Sequence, residues 1–276
     1  MIEKIVKAGI RLIPSQAGFV VARYLASHPK RAPITELEAA AVRAARYQRL
    51  AAGGRLPTWT WGEGPTVALV HGWGGRAAQM APLAMRLAES GFRTVAFDVA
   101  GHGESPVNES RWEWFMRDIA DLASACGPLA GYVGHSAGGL AMMAARRLNR
   151  VDAGRYVCIC APHHPYPPVL GVQKRLDPGD RVLRRYRNFL GAQFNSDWAA
   201  LEAGFAWQGA GSEVLLCYDE KDRFIDPNDG HKIHGSCAGS TLVKTAQFGH
   251  ARILAAEETA TTVGTFLKSS AVGRTL

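Results

Sequence analysis

The sequence predicts an α/β architecture: a mostly parallel central sheet flanked by helices, with a helical segment inserted between two of its strands. Three observations predict it. From residue 66 onward, short apolar runs alternate with longer stretches of helical periodicity, and that alternation builds a parallel sheet wrapped by helices. The short runs are apolar throughout rather than at every second position, as expected of strands covered on both faces. After residue 163 the alternation stops for about forty residues, which is too long for a structureless loop inside a compact domain.

The strands read, in order, as "TVALVHGW", "RTVAFDVAG", "GYVGHS", "RYVCICAP", "EVLLCYDE" and "STLVKTAQ". Between them "RAAQMAPLAMRLAES", "SRWEWFMRDIADLASAC" and "AGGLAMMAARRLN" carry helical spacing and good helix formers. The interrupting stretch, from "HHPYPPVLG" to "ALEAGFAW", has prolines at its front, helical periodicity behind and no convincing strand. The first sixty residues read as one or two helices followed by a strand at "LPTWTWG". The expected organisation is therefore an N-terminal helical segment over 1–55, a core over 56–162 and 207–276, and a helical cap insertion over 163–206.

The chain has 276 residues, long enough for a substantial core. Its net charge of +8 is concentrated in two places, Lys4, Lys7, Arg11, Arg23, Lys30 and Arg31 near the start and Lys174, Arg175, Arg181, Arg184, Arg185 and Arg187 in the insertion. No nucleic-acid motif accompanies these clusters, so they read as solvated basic faces and no nucleic-acid partner is expected. Arg11, Pro14, Ser15 and Gln16 interrupt the first apolar run, so neither a secretory signal nor a membrane span is expected there. A helix lying against the domain fits that segment better, with peripheral contact to a membrane surface as the alternative. Five cysteines, Cys126, Cys158, Cys160, Cys217 and Cys237, lack metal-type spacing and read as reduced residues of a cytoplasmic protein.

Residues 134–138, "GHSAG", fit G-x-S-x-G between an apolar strand and a helix. In so tight a turn the serine adopts a strained backbone, and residues two positions away must lack bulk. Ser136 is the candidate nucleophile, and the backbone N–H of Ala137, at the start of the new helix, can face a developing oxyanion. A serine needs a base, and the base an orienting acid, in the chain order serine, acid, histidine. "CYDEKDRFID" offers Asp219, Asp222 and Asp226 after a strand, and "QFGHARIL" offers His250 after the last one. A second oxyanion donor should lie in "HGWGGR", through the backbone N–H of Trp73 or, failing that, Gly74. The adjacent His163 and His164 point to opposite sides of an extended chain and have no carboxylate or cysteine nearby in sequence, so no metal is expected.

With these residues assembled, the chain resembles the α/β-hydrolase superfamily, serine esterase-like with a helical cap, over about residues 56 to 270. "HGWGGR" matches its oxyanion loop, "FDVAGHGES" its D-x-P-G-H-G-x-S turn, "GHSAGG" its nucleophile elbow and "FGHARIL" its histidine loop. Within the family's acid segment, "YDEKDRFI" matches with Asp222 as the acid and Asp219 as a turn residue. Three departures stand out. Ala100 replaces the turn proline, Tyr218 replaces the usual histidine before the acid and leaves Asp219 in contention, and Ala137 replaces a larger residue beside the serine. The resemblance implies hydrolysis of a carboxylic ester by Ser136, His250 and Asp222 with no cofactor and a small-molecule acyl substrate. Thioester or carbon–carbon cleavage and acyl transfer use the same triad, and a non-catalytic ligand receptor can keep this fold.

Overall fold

A computed structural model describes residues 14–269 of the chain; Lys4, Lys7 and Arg11 of the basic N-terminal cluster lie outside them. Eight strands form one sheet: β1 (Arg46–Leu50), β2 (Leu56–Trp61), β3 (Thr66–Val70), β4 (Arg93–Phe97), β5 (Gly131–His135), β6 (Tyr156–Ile159), β7 (Val214–Asp219) and β8 (Thr241–Thr245). Their order is β1-β2-β4-β3-β5-β6-β7-β8. β2 runs antiparallel to both β1 and β4, and every other pair is parallel.

The apolar runs from β3 to β7 become strands with both faces buried, whereas β8, at the sheet edge, is exposed or half-buried. On β5, Tyr132 faces one core layer with Phe97 and Phe115, while Val133 faces the other with Leu69 and Met80. Each fully buried aliphatic side chain of this kind contributes about 1.5–3 kcal/mol relative to exposure. The helices covering these faces are α1 (Ser15–Ser27), α2 (Glu36–Arg43), α3 (Ala77–Glu89), α4 (Trp112–Cys126) and α5 (Ala137–Arg147), then α6 (Tyr166–Leu176), α7 (Asp180–Gln193) and α8 (Trp198–Glu202), and finally α9 (Asp229–Ser236), α10 (Gly249–Arg252) and α11 (Glu257–Lys268).

The chain's route through the sheet positions the site. From β3 it moves outward to β4, then crosses back so that β5 pairs with the other side of β3. The carboxyl ends of β3 and β5 therefore flank the point where the winding reverses, where open α/β sheets bind ligands. α6, α7 and α8 all lie between β6 and β7. α1 packs against α7, with Phe19 edge-on to Phe189 at 5.7 Å and Arg185 donating to the Gln16 side chain at 3.0 Å.

One element differs from the sequence expectation. β1 lies in a segment read as helical, and its residues Arg46, Tyr47, Gln48, Arg49 and Leu50 are exposed or half-buried. It is an edge strand on the antiparallel side, where charged side chains are tolerated and discourage pairing with another chain. Its polar composition hid it from a search for apolar runs.

Candidate active site

The turn after β5 holds Ser136 at φ 52° and ψ −123°, an uncommon conformation for a residue with a side chain. Ser136 N–H donates to Ile159 O at 2.8 Å, and Ser136 O accepts from Gly139 N–H at 3.0 Å. A Cβ on Gly134 would stand 2.6 Å from the backbone of Gly139, and one on Gly138 would run into the carbonyls of Val70 and His71. The two glycines are what allow β5, the turn and α5 to pack this closely.

The structure separates the acid candidates. His250 Nδ1–H donates to Asp222 Oδ2 at 2.6 Å, and Asp222 Oδ1 accepts from the backbone N–H groups of Phe224 and Ile225 at 2.8 and 3.0 Å. Burial pushes the Asp222 carboxyl up, but the His250 hydrogen bond and charge together with the two amides outweigh it and leave its pKa below the ordinary value. Asp219 is occupied elsewhere. Its oxygens accept from the N–H groups of Gln247, Phe248, Gly249 and Lys221 at 2.9–3.0 Å and from Thr245 Oγ1 at 2.7 Å. Burial raises its pKa, and the donors of Phe248, Thr245, Gly249 and Lys221 lower it by more. Asp219 thus moors the loop carrying His250, and Asp222 meets the imidazole. Asp226 accepts from Asn228 N–H and Lys232 Nζ.

With Nδ1 donating to Asp222, the other ring nitrogen of His250 is left as an acceptor. The His250 side chain is 15% exposed. His135, the residue before Ser136, holds the histidine loop from beneath. Its Nε2–H donates to His250 O at 2.9 Å, and the two rings lie 4.6 Å apart. The sequence offered no signal for this role. Nδ1 of His135 is buried without a partner, and burial, with the His250 ring nearby, pushes its pKa down to about 3.

The loop after β3 stands opposite. A Cβ on Gly72 would sit 3.0 Å from Ser136 Cβ, so this loop passes directly beside the serine. His71 donates from Nδ1 to Gly72 O at 2.8 Å and accepts at Nε2 from Val99 N–H at 3.3 Å, which fixes the loop to the turn after β4. The Trp73 ring stacks on Phe115 at 5.9 Å and meets His102 edge-on at 5.4 Å. Gly74 O accepts from Ala32 N–H at 3.1 Å, tying the segment between α1 and α2 to the same loop.

In the turn after β4 the backbone of Ala100 has a role that a proline could not fill. Its N–H donates at 2.7 Å to Asp118, a fully buried carboxylate that also meets Arg55 and Arg117. A proline there would have no hydrogen to donate. The Tyr218 hydroxyl donates to Ala161 O, so it serves the strand ends and does not touch the Asp222–His250 pair.

Among the described residues one cluster has donors suited to a metal, Cys160, Asp222 and His250, with ligand atoms within 4.8 Å of one another. Two of those atoms already face each other across the 2.6 Å hydrogen bond, and burial holds the Cys160 thiol well above its ordinary pKa. His163 and His164 belong to no such cluster. A cavity of about 300 Å³ opens over the serine, with Ser136, Ala137 and Trp73 in its wall together with Pro162, Pro167 and Val172.

The chain matches the Alpha/beta hydrolase family over residues 67–260. No curated protein sequence matches it. Among solved structures, it is similar to Est1E from Butyrivibrio proteoclasticus with ferulic acid bound, at 15% identity and a TM-score of 0.60 over 83% of this chain and 98% of that one. It is also similar to a thioesterase domain from the curacin biosynthetic pathway, at 16% identity and a TM-score of 0.58 over 82% and 99%. An epoxide hydrolase from Vigna radiata gives 15% identity and a TM-score of 0.57 over 83% and 99%. At these identities the likeness is one of fold.

Proposed function

The chain belongs to the alpha/beta hydrolase family, and from that premise we propose that it is a serine hydrolase cleaving a carboxylic ester through Ser136, His250 and Asp222. The observation that carries the reading is the 2.6 Å Asp222–His250 hydrogen bond on a loop that His135, the neighbour of the strained Ser136, ties to the elbow through His250 O, with Ser136 itself in the wall of the cavity.

In the first step Ser136 Oγ attacks the ester carbonyl carbon while His250 takes its proton, forming a tetrahedral oxyanion. The backbone N–H groups of Ala137 and Trp73 are assigned to that oxygen, and Asp222 stabilises the imidazolium. Collapse breaks the carbon–oxygen bond to the alcohol, which leaves with the proton from His250, and an acyl-serine remains. Water then attacks the acyl-serine with the same base, releasing the acid and restoring the hydroxyl. No step requires a cofactor. The helices α6–α8 act as a cap, and α6 supplies Pro167 and Val172 to the cavity wall.

Thioesters share this acyl chemistry, and one structural neighbour is a thioesterase domain; turnover of matched acyl esters and thioesters tells the two apart. No helix among the described residues is long and apolar enough to cross a membrane. The five free cysteines, four of them buried, support a reducing compartment such as the cytoplasm. The direct test is labelling with a fluorophosphonate. Wild type should be labelled and Ser136→Ala should not, and equal labelling of both removes the assignment.

A further inference from the structure

The cavity above Ser136 has mostly apolar walls, yet two basic residues are among those that line it, and among the described residues no aspartate or glutamate does. The cations come from unrelated parts of the chain. Lys30 follows α1 in the segment tied to Gly74 by the Ala32 hydrogen bond, and Arg175 is in the last turn of α6. Both are exposed at the rim, and the ion pairs found among the described residues use neither. Beneath them the wall is built from Leu25, Pro29, Trp112, Pro168 and Leu176. An apolar body with two cations at its mouth selects a ligand that is apolar along its length and negative at one end.

Resting on the serine-hydrolase reading above, the geometry points to an ester whose apolar part fills this cavity and ends in an anionic group, a carboxylate or a phosphate, held by Lys30 and Arg175. At about 300 Å³ the cavity is at the small end of ligand sites, which suits a short to medium chain. Neither charge touches the reacting atoms, so their effect falls on substrate choice.

The test compares kcat/KM for pairs of esters matched in length, one ending in methyl and one in an anion. One series places a terminal carboxylate on the acyl side, as p-nitrophenyl half-esters of dicarboxylic acids of about four to ten carbons. A second places it on the alcohol side, as acetyl esters of ω-hydroxy acids, and a third replaces carboxylate with phosphate. In at least one series the anionic member should be preferred about tenfold at low salt, as two exposed ion pairs allow, with the preference shrinking several-fold at high salt. Lys30→Ala/Arg175→Ala should bring the ratio close to one. Lys174→Ala/Arg181→Ala removes the same net charge from residues that do not line the cavity and should keep the preference.

Equal turnover of neutral and anionic members in all three series overturns the proposal, and so does an equal loss of preference in the two double variants. Failure of the parent reading shows in a different quantity, neutral-ester turnover by Ser136→Ala matching wild type. A binding measurement free of turnover completes the test. Calorimetry on Ser136→Ala should give tighter binding of suberic acid monoamide than of octanamide, and equal binding contradicts the anion site.

Discussion

His135 should make the protein sensitive to mild acid. Its ring is buried, its Nδ1 has no partner, and its pKa falls from the ordinary 6.5 to about 3. Protonation would add a charge at Nδ1 with no acceptor to receive it, so the folded chain keeps this imidazole neutral while the unfolded chain protonates it. Because the folded value lies below the unfolded one, stability is fully present above pH 6.5 and is lost as pH falls from there toward 3. At pH 5 the unfolded imidazole is almost fully protonated and the folded one almost not at all. The loss between pH 7 and pH 5 is then about 2 kcal/mol, and any folded value below about 4 gives nearly the same figure. His135→Gln keeps a side-chain N–H for His250 O and removes the titration. His71, His102, His163 and His164, whose pKa values burial also lowers, remain in both proteins and cancel in the comparison. Urea unfolding at pH 7 and pH 5 should show wild type losing about 2 kcal/mol more than His135→Gln. Equal losses would refute the linkage.

Ser136→Ala should lower ester turnover by about 10⁴-fold or more with the fold intact, measured on p-nitrophenyl butyrate with circular dichroism alongside. Asp222→Asn should reduce kcat by roughly 10⁴-fold through loss of the imidazole's orientation, with little change in stability. Asp219→Asn should instead cost about 2–4 kcal/mol in urea unfolding, because its amide points hydrogens at donors that now meet a carboxylate; the reverse pattern would exchange the two roles. Ala100→Pro deletes the N–H bonded to Asp118 and should cost about 1–2 kcal/mol net of the stiffer unfolded chain, whereas an unchanged or raised melting temperature would show that hydrogen bond to be dispensable.

What the sequence disclosed and what it hid follow from how far apart the partners are. Strands β3 to β7 were legible because burial on both faces makes each a continuous apolar run. The elbow was legible because strand, serine and both glycines are consecutive. β1 was hidden because an edge strand needs no apolar face. The choice between Asp219 and Asp222 stayed open because they are three residues apart in one turn, and only the direction of each side chain decides which meets His250. Lys30 and Arg175 lie far apart in sequence, so their shared cavity was visible only once α1 and the insertion had packed together.

The three loops of the site are each held by a buried polar group that is not itself assigned a part in the chemistry. His71 joins the loop after β3 to the turn after β4, Asp219 collects the amides of the histidine loop, and His135 binds the carbonyl of His250 from beneath. A strained serine, costing of order 1–3 kcal/mol, persists only where its surroundings over-determine it, and these groups with the close-packed glycines supply that constraint. Two of them, His71 and His135, are neutral imidazoles whose pKa values burial lowers. Acidification therefore weakens the supports of the site along with the fold. Wild type should lose ester turnover at a pH set partly by folding, and His135→Gln should move that limb of the profile to lower pH. An acid limb identical in the two proteins would place its origin in the chemical step alone.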